Sequence, residues 1–219
     1  MDMADKSAMQ MDIALQVVVL GVALGLMWVL WGGGVPRALA RMTGPSRTKI
    51  ESRAHFVKGA QLLARSRSAK PSLSESLAGE AADEAERAIA LNSTDAACHI
   101  LKGLALERQG HMVAALNSLD TALSPRVVKS LAKTEQSDAL FKRAEIRLGG
   151  DAKKRHVDAA IADLEAAVAL NEKNEKALCL LGTCYEKKGM NVEARRAFQE
   201  ALKAEPQLIE AKAGLERLS

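Results

Sequence analysis

The side chains best suited to catalysis or metal binding are the histidines, and here they stand apart. His55, His99, His111 and His156 fall in four separate segments, and none belongs to a His-Glu-x-x-His or Cys/His ligand pattern. The three cysteines, Cys98, Cys179 and Cys184, form no Cys-x-x-Cys pair and are odd in number, so a disulfide framework is not expected. Cys179 and Cys184 lie five residues apart and point in different directions on a helix, which suits small buried thiols in a reducing compartment. Gly32-Gly33-Gly34 lacks the lysine-serine partner of a phosphate-cradling loop. Acidic residues are spread as on solvated helix faces. These patterns predict no enzyme, no cofactor and no metal site. The remaining chemistry is recognition.

The elements that would present a recognition surface can be read from composition and patterning. Aromatic residues make up only 3% of the 219 residues, while alanine and leucine are plentiful, which predicts an all-helical chain packed through small side chains. Residues 1–12 form an acidic tail with Asp2, Asp5 and Asp12 against Lys6. From Ile13 to Trp31 the chain is apolar, with Gln16 the one clearly polar side chain and 11 residues of Leu, Ile or Val. At about 1.5 Å per residue this helix would span roughly 28 Å, close to the hydrocarbon thickness of a bilayer. Trp28 and Trp31 would sit at the headgroup level. A cleaved signal peptide is the competing reading, with Ala38-Leu39-Ala40 as its cleavage site, but the start is acidic where such a peptide is basic. A buried core helix is a third reading, and it lacks an amphipathic face for docking.

A transmembrane helix over 13–31 is therefore predicted. Gly21 and Gly25 form a small-xxx-small pair within it, suited to helix–helix association. Residues 32–48 are a glycine-rich and then basic linker, with Arg37, Arg41, Arg47 and Lys49 preceding the first acid, Glu51. This flank predicts a single-pass protein whose C-terminal part faces the cytosol. The formal charge of +4 does not point to nucleic acid, because the basic excess adjoins the apolar run and lacks interleaved aromatics.

Beyond the linker, residues 49–219 read as helical repeats, about 49–95, 96–134, 135–174 and 175–208, with a cap over 209–219. The last repeat is the plainest. Leu178, Leu181, Gly182 and Tyr185 share one helix, Ala194, Phe198 and Ala201 share the next, and Pro206 closes the unit. Gly182 and Ala194 leave room for two backbones to approach, while Leu181, Tyr185 and Phe198 fill the seam. Gly189 follows Glu186-Lys187-Lys188 as a helix-ending residue. Upstream, helices are predicted over Lys49–Arg65, Glu80–Leu91, Ala97–Gln109, Met112–Leu123, Asp138–Leu148 and Val157–Leu170. Ser66–Ser76 is expected as a loop, Arg126–Thr134 as a spacer, and Gly149–His156 as a long turn.

This spacing resembles the tetratricopeptide repeat. The resemblance implies an all-α, right-handed solenoid of about four helix-turn-helix repeats, capped by Ile209–Leu218. It also implies a concave groove, lined by the first helix of each repeat, that holds a protein or peptide ligand. Carried onto this chain, the groove places are Ala97, Ile100, Leu104 and Arg108 from the second repeat. The third gives Asp138, Phe141, Lys142 and Glu145, and the fourth Lys176, Cys179, Thr183 and Lys187. The alternative for Phe141 is ordinary packing between repeats. One subfamily grips the C-terminal carboxylate of chaperones through basic and amide side chains; the matching places here hold Phe56, Ala60, Leu101, Asp138 and Lys142, which do not restore that clamp. The expected function is a membrane-anchored scaffold presenting this groove to the cytosol. An organelle import receptor, or a structural subunit of a membrane complex, are the alternatives. A mitochondrial or plastid outer membrane comes first as the site, then the endoplasmic reticulum.

Overall fold

The structure, a computed structural model, describes residues 47–149 and 154–219. The acidic tail, the 13–31 run with Gly21 and Gly25, and nearly all of the linker lie outside the described residues. Among the described residues there is no strand, and no helix is long and apolar enough to cross a membrane.

Among the described residues nine α-helices follow one another: α1 (Arg47–Ser68), α2 (Pro71–Leu91), α3 (Ala96–Arg108), α4 (Met112–Ala122), α5 (Lys133–Gly149), α6 (Lys154–Leu170), α7 (Glu175–Lys187), α8 (Asn191–Ala204) and α9 (Ile209–Arg217). Local chemistry fixes their ends. Asp95 and Asn174 cap α3 and α7, each accepting a hydrogen bond from a first-turn amide, Ala97 N at 3.1 Å and Ala177 N at 3.0 Å. Pro71 sits in the first turn of α2, where its missing N–H costs nothing. Gly110 and Gly189 take φ of +83° and +75°, a left-handed conformation that turns α3 into α4 and α7 into α8.

The helices pack in sequential pairs, and small apolar clusters link each pair to the next. Leu62, Leu63, Leu77, Ala81, Ala85, Leu101 and Ala105 join α1 and α2 to α3. Ala115, Leu119 and Ile146 join α4 to α5, with Ile100 of α3 packed against them. Ala144, Ile161, Leu164, Ala177 and Leu181 join α5 and α6 to α7. Leu178, Ala194, Phe198, Ala201 and Ala211 tie α7 and α8 to α9. Neighbour-to-neighbour burial of this kind is the energetic pattern of a solenoid. The terminal helix α9 packs on the last pair, and Arg217 clasps Glu186 of α7 with two hydrogen bonds of 2.8 Å.

Buried polar staples reinforce the stack. Ser52 and Ser137, each early in the first helix of a pair, donate to Ala88 O and Ala167 O near the end of the second, at 2.9 and 2.8 Å. Glu84 of α2, 3% exposed, receives His55 and Lys58 from α1 and Arg87 from its own helix. Asp163 of α6 is 5% exposed and is gripped by Arg143 and Arg147 of α5, while Arg143 also reaches Asp120 of α4 at 2.8 Å.

Three sequence expectations change. The Ser66–Ser76 loop is absent: α1 runs to Ser68, α2 starts at Pro71, and only Ala69 and Lys70 intervene. The serines are accommodated because Ser66 Oγ donates to Leu63 O at 2.7 Å and Ser74 Oγ accepts from Arg108 Nε at 3.0 Å. The Arg126–Thr134 spacer is not structureless, since Val128–Ser130 forms a 3-10 turn and α5 already begins at Lys133. Finally, α6 starts at Lys154, inside the stretch expected as a turn.

Candidate functional site

The first helix of each of the first three pairs, α1, α3 and α5, contributes one wall of a shared cleft. Side-chain contacts set their relative direction. Arg108, at the end of α3, donates to Ser66 O at the end of α1, at 3.2 Å. Ala96 N, at the start of α3, donates to Ser130 Oγ just before α5, at 3.0 Å, and Lys142 within α5 meets Glu107 near the end of α3 at 3.1 Å. The three helices therefore run the same way, and their matching turns face one another.

The cleft encloses about 390 Å³. Phe56, Ala60, Leu63 and Ala64 of α1 line it with Ala97, Ile100, Leu101 and Leu104 of α3. Leu131, Ala139, Glu135, Asp138 and Lys142 complete the α5 side, and Arg67 closes the α1 end. Its floor is apolar because these positions fall at helical spacing of three and four residues, and Phe56, Ala60, Leu63, Leu101 and Leu104 also belong to or pack on the α1–α2–α3 cluster.

Of the residues singled out in the sequence, Ala97, Ile100, Leu104, Asp138 and Lys142 come together in this cleft. The five places Phe56, Ala60, Leu101, Asp138 and Lys142 all line it too. Arg108 is placed differently. It staples α3 to the α1–α2 corner through Ser66 O and Ser74 Oγ, and it borders an adjoining hollow with Arg67, Glu107 and Met112. Half-buried Phe141 packs against the α5–α6–α7 cluster and is not among the residues lining the cleft. Glu145 pairs with Lys142 at 2.7 Å.

The fourth-pair residues do not extend the cleft. Lys176 and Lys187 are exposed on α7, and Thr183 Oγ1 donates back to Cys179 O at 3.1 Å. Cys179 packs against the α7–α8–α9 cluster, so the capping helix partly covers this stretch. Sequence reasoning missed the α1 wall as groove lining. Phe56, Ala60, Leu63 and Ala64 recur at spacings of three and four, and that period was the available signal.

Electrostatics in the cleft are uneven. Burial opposes the charge on Lys142, but hydrogen bonds from its ammonium to Glu145 and Glu107 outweigh that and raise its pKa. Glu135 and Asp138 make no ion pair: Glu135 Oε2 accepts from Ala132 N at 2.8 Å, and Asp138 Oδ1 accepts from Asn174 Nδ2 at 3.2 Å. Away from the cleft, burial pushes the Cys98 thiol up to about 11 and raises Cys179 and Cys184, so all three stay protonated at neutral pH. Among the described residues no cluster of three His, Cys, Asp or Glu side chains could hold a metal ion.

Comparison with known proteins bears on the fold. A family profile for the tetratricopeptide repeat matches residues 175–208. No curated protein matches the chain in sequence. Among solved structures, MamA residues 41–end from Desulfovibrio magneticus RS-1 superposes with a TM-score of 0.60 at 18% identity, over 77% of this chain and 83% of that one. The Cut9–Hcn1 hetero-tetramer of the APC/C gives 0.61 at 18% identity, over 76% of this chain but only 29% of the matched one. YrrB, described as a TPR protein with an unusual peptide-binding site, gives 0.52 at 19% identity over 64% and 67%. Residues 175–208 thus match the tetratricopeptide repeat profile, and the fold of the described residues is similar to that of these helical-repeat structures.

Proposed function

We propose that this chain is a docking module, held to a membrane by residues 13–31, that captures a protein partner by seating an apolar segment of it between α1, α3 and α5. The observation that carries the docking role is the cleft, an apolar trough of about 390 Å³ open to solvent on three aligned helices. A trough of this size takes a few apolar side chains of a peptide, with charged groups at its rim fixing their placement. The peptide-binding site named for the YrrB structure, which shares the fold, adds support. Membrane attachment rests on the apolar run and the basic flank that follows it.

Plugging the trough tests the docking role. Ala64 is exposed and lines the cleft, so Ala64→Trp fills it without disturbing the core, whereas Val113→Trp adds the same bulk at a site on α4 that lies outside the cleft. Full-length protein is purified from membranes in mild detergent, and co-purifying proteins are identified by mass spectrometry. A partner retained by wild type and by Val113→Trp but lost from Ala64→Trp is expected. If plugging leaves every partner in place, the cleft is not the docking site.

A further inference from the structure

The two ends of the cleft differ in charge, and that difference specifies its ligand more narrowly than its shape does. Lys142, the cation nearest the middle of the α5 wall, is already neutralised by Glu107 and Glu145 at 3.1 and 2.7 Å. Asp138, one turn earlier on the same wall, forms no ion pair with it, although the i,i+4 spacing would allow one. Glu135 is likewise without a counter-charge. Both carboxylates are exposed at the mouth of an apolar trough, and no cation lines that end. At the opposite end stands Arg67, whose side chain makes no ion pair or hydrogen bond with any described residue. Phe56 and Arg67 lie eleven positions apart on α1, roughly 16 Å of helix.

Building on the docking role proposed above, we infer that the occupant is an amphipathic protein segment with its own charge polarity. Apolar side chains fill the trough, a lysine or arginine reaches Glu135 and Asp138, and an acidic residue lies toward Arg67. A long basic side chain fits this mouth well, because its alkyl stem lies on Phe56, Ala97 and Leu131 while its head stays hydrated beside the carboxylates. An acidic segment placed there meets two uncompensated carboxylates. The charges act chiefly on orientation and on rejection of the wrong partner, and the apolar floor holds the segment.

Three fluorescein-labelled peptides of twelve residues test this, identical in a leucine face and differing at one end by two lysines, two glutamines or two glutamates. Fluorescence anisotropy on full-length protein in detergent micelles is expected to rank them lysine, glutamine, glutamate, with about threefold between neighbours, the scale of exposed ion pairs. The ranking collapses in 1 M salt, where the screening length is about 3 Å. The paired change Glu135→Lys with Asp138→Lys reverses the order, which a merely destabilised protein cannot do. Ala64→Trp abolishes binding of all three. Equal affinities for the three peptides, abolished by Ala64→Trp, overturn the charge inference and leave the docking role standing. Binding that survives Ala64→Trp overturns the docking role itself. No binding by any peptide overturns the inference. So does a dimer, seen by sedimentation, that Ala64→Trp disperses, since the occupant is then a second copy.

Discussion

Phe198 is fully buried, and its ring is wedged between two backbones that carry no side chain. A Cβ placed on Gly182 would lie 2.7 Å from the ring, and one on Gly214 would lie 2.5 Å from it on a different helix. With α7 on one side and α9 on the other, the ring cannot swing away from either. Helix propensity alone favours alanine over glycine by about 1 kcal/mol. Overpacking costs about 1–3 kcal/mol, so the clash should decide the sign. Gly182→Ala is expected to lower stability in urea unfolding, and Phe198→Leu should relieve part of that loss in the double variant. Gly79→Ala supplies the contrast, because the atom nearest its Cβ is the flexible end of Gln109 at 3.2 Å, and there the propensity gain should win. Strictly additive losses for Gly182→Ala and Phe198→Leu would show that the ring has room to move. The Gly182–Phe198 contact was legible in the sequence because both residues sit at signature places of one repeat. Gly214 was not, since it belongs to the cap, where no repeat spacing applies.

Between elements, the first helical pair is held by a carboxylate that few surface acids resemble. Glu84 of α2 takes hydrogen bonds from Lys58 at 2.8 Å and His55 at 2.6 Å, with Arg87 adding attraction, and these outweigh burial to hold its pKa down to about 2 from an ordinary 4.5. A carboxylate depressed in the folded state stabilises it fully above pH 4.5, and that contribution fades as pH falls toward 2. Wild type should therefore lose stability across this window, while Glu84→Gln, weaker at pH 7, should lose less. The two urea-unfolding curves should converge toward pH 2, and a gap constant from pH 7 to pH 2.5 would show that the Glu84 charge does not staple α1 to α2. Nothing in the sequence marked Glu84, because its partners lie 26 and 29 residues away. The same limit explains the Ser66–Ser76 misreading. A serine-rich stretch with a proline has loop composition, yet Ser66 and Ser74 find partners in Leu63 O and Arg108. Arg108, expected along the groove, borders the adjoining hollow and also holds that corner. Helix identity and pairing were legible because they follow local periodicity, whereas these cross-helix staples depend on contacts no local pattern encodes.

At the scale of the whole molecule, the cleft and the N-terminal segment make one joint prediction about where the docking surface faces. The helical-repeat domain begins at about residue 47, and the apolar run ends at Trp31. The linker between them holds Gly32-Gly33-Gly34 and then Arg37 and Arg41, with no acid before Glu51. The proposed bilayer insertion of Ile13–Trp31 would draw on 11 Leu, Ile or Val residues at about −0.3 to −0.6 kcal/mol each, which Gln16 near one end would not cancel. On that proposal, basic residues on the C-terminal flank would hold that side in the cytosol. The protein should resist carbonate extraction, and protease added to intact organelles should remove the repeat domain. Replacing Arg37 and Arg41 with glutamine should weaken the orientation bias, and replacing Gly32-Gly33-Gly34 with alanines should not. Removing residues 1–34 should release a folded helical domain that binds the lysine-bearing peptide with unchanged affinity, because every residue lining the cleft lies downstream of Arg47. Carbonate extraction of the full chain would remove the anchor from the proposed function and leave a docking module alone. Protease resistance that persists until the organelle is opened would place the cleft on the opposite side of the membrane, and its partner would then have to be sought there.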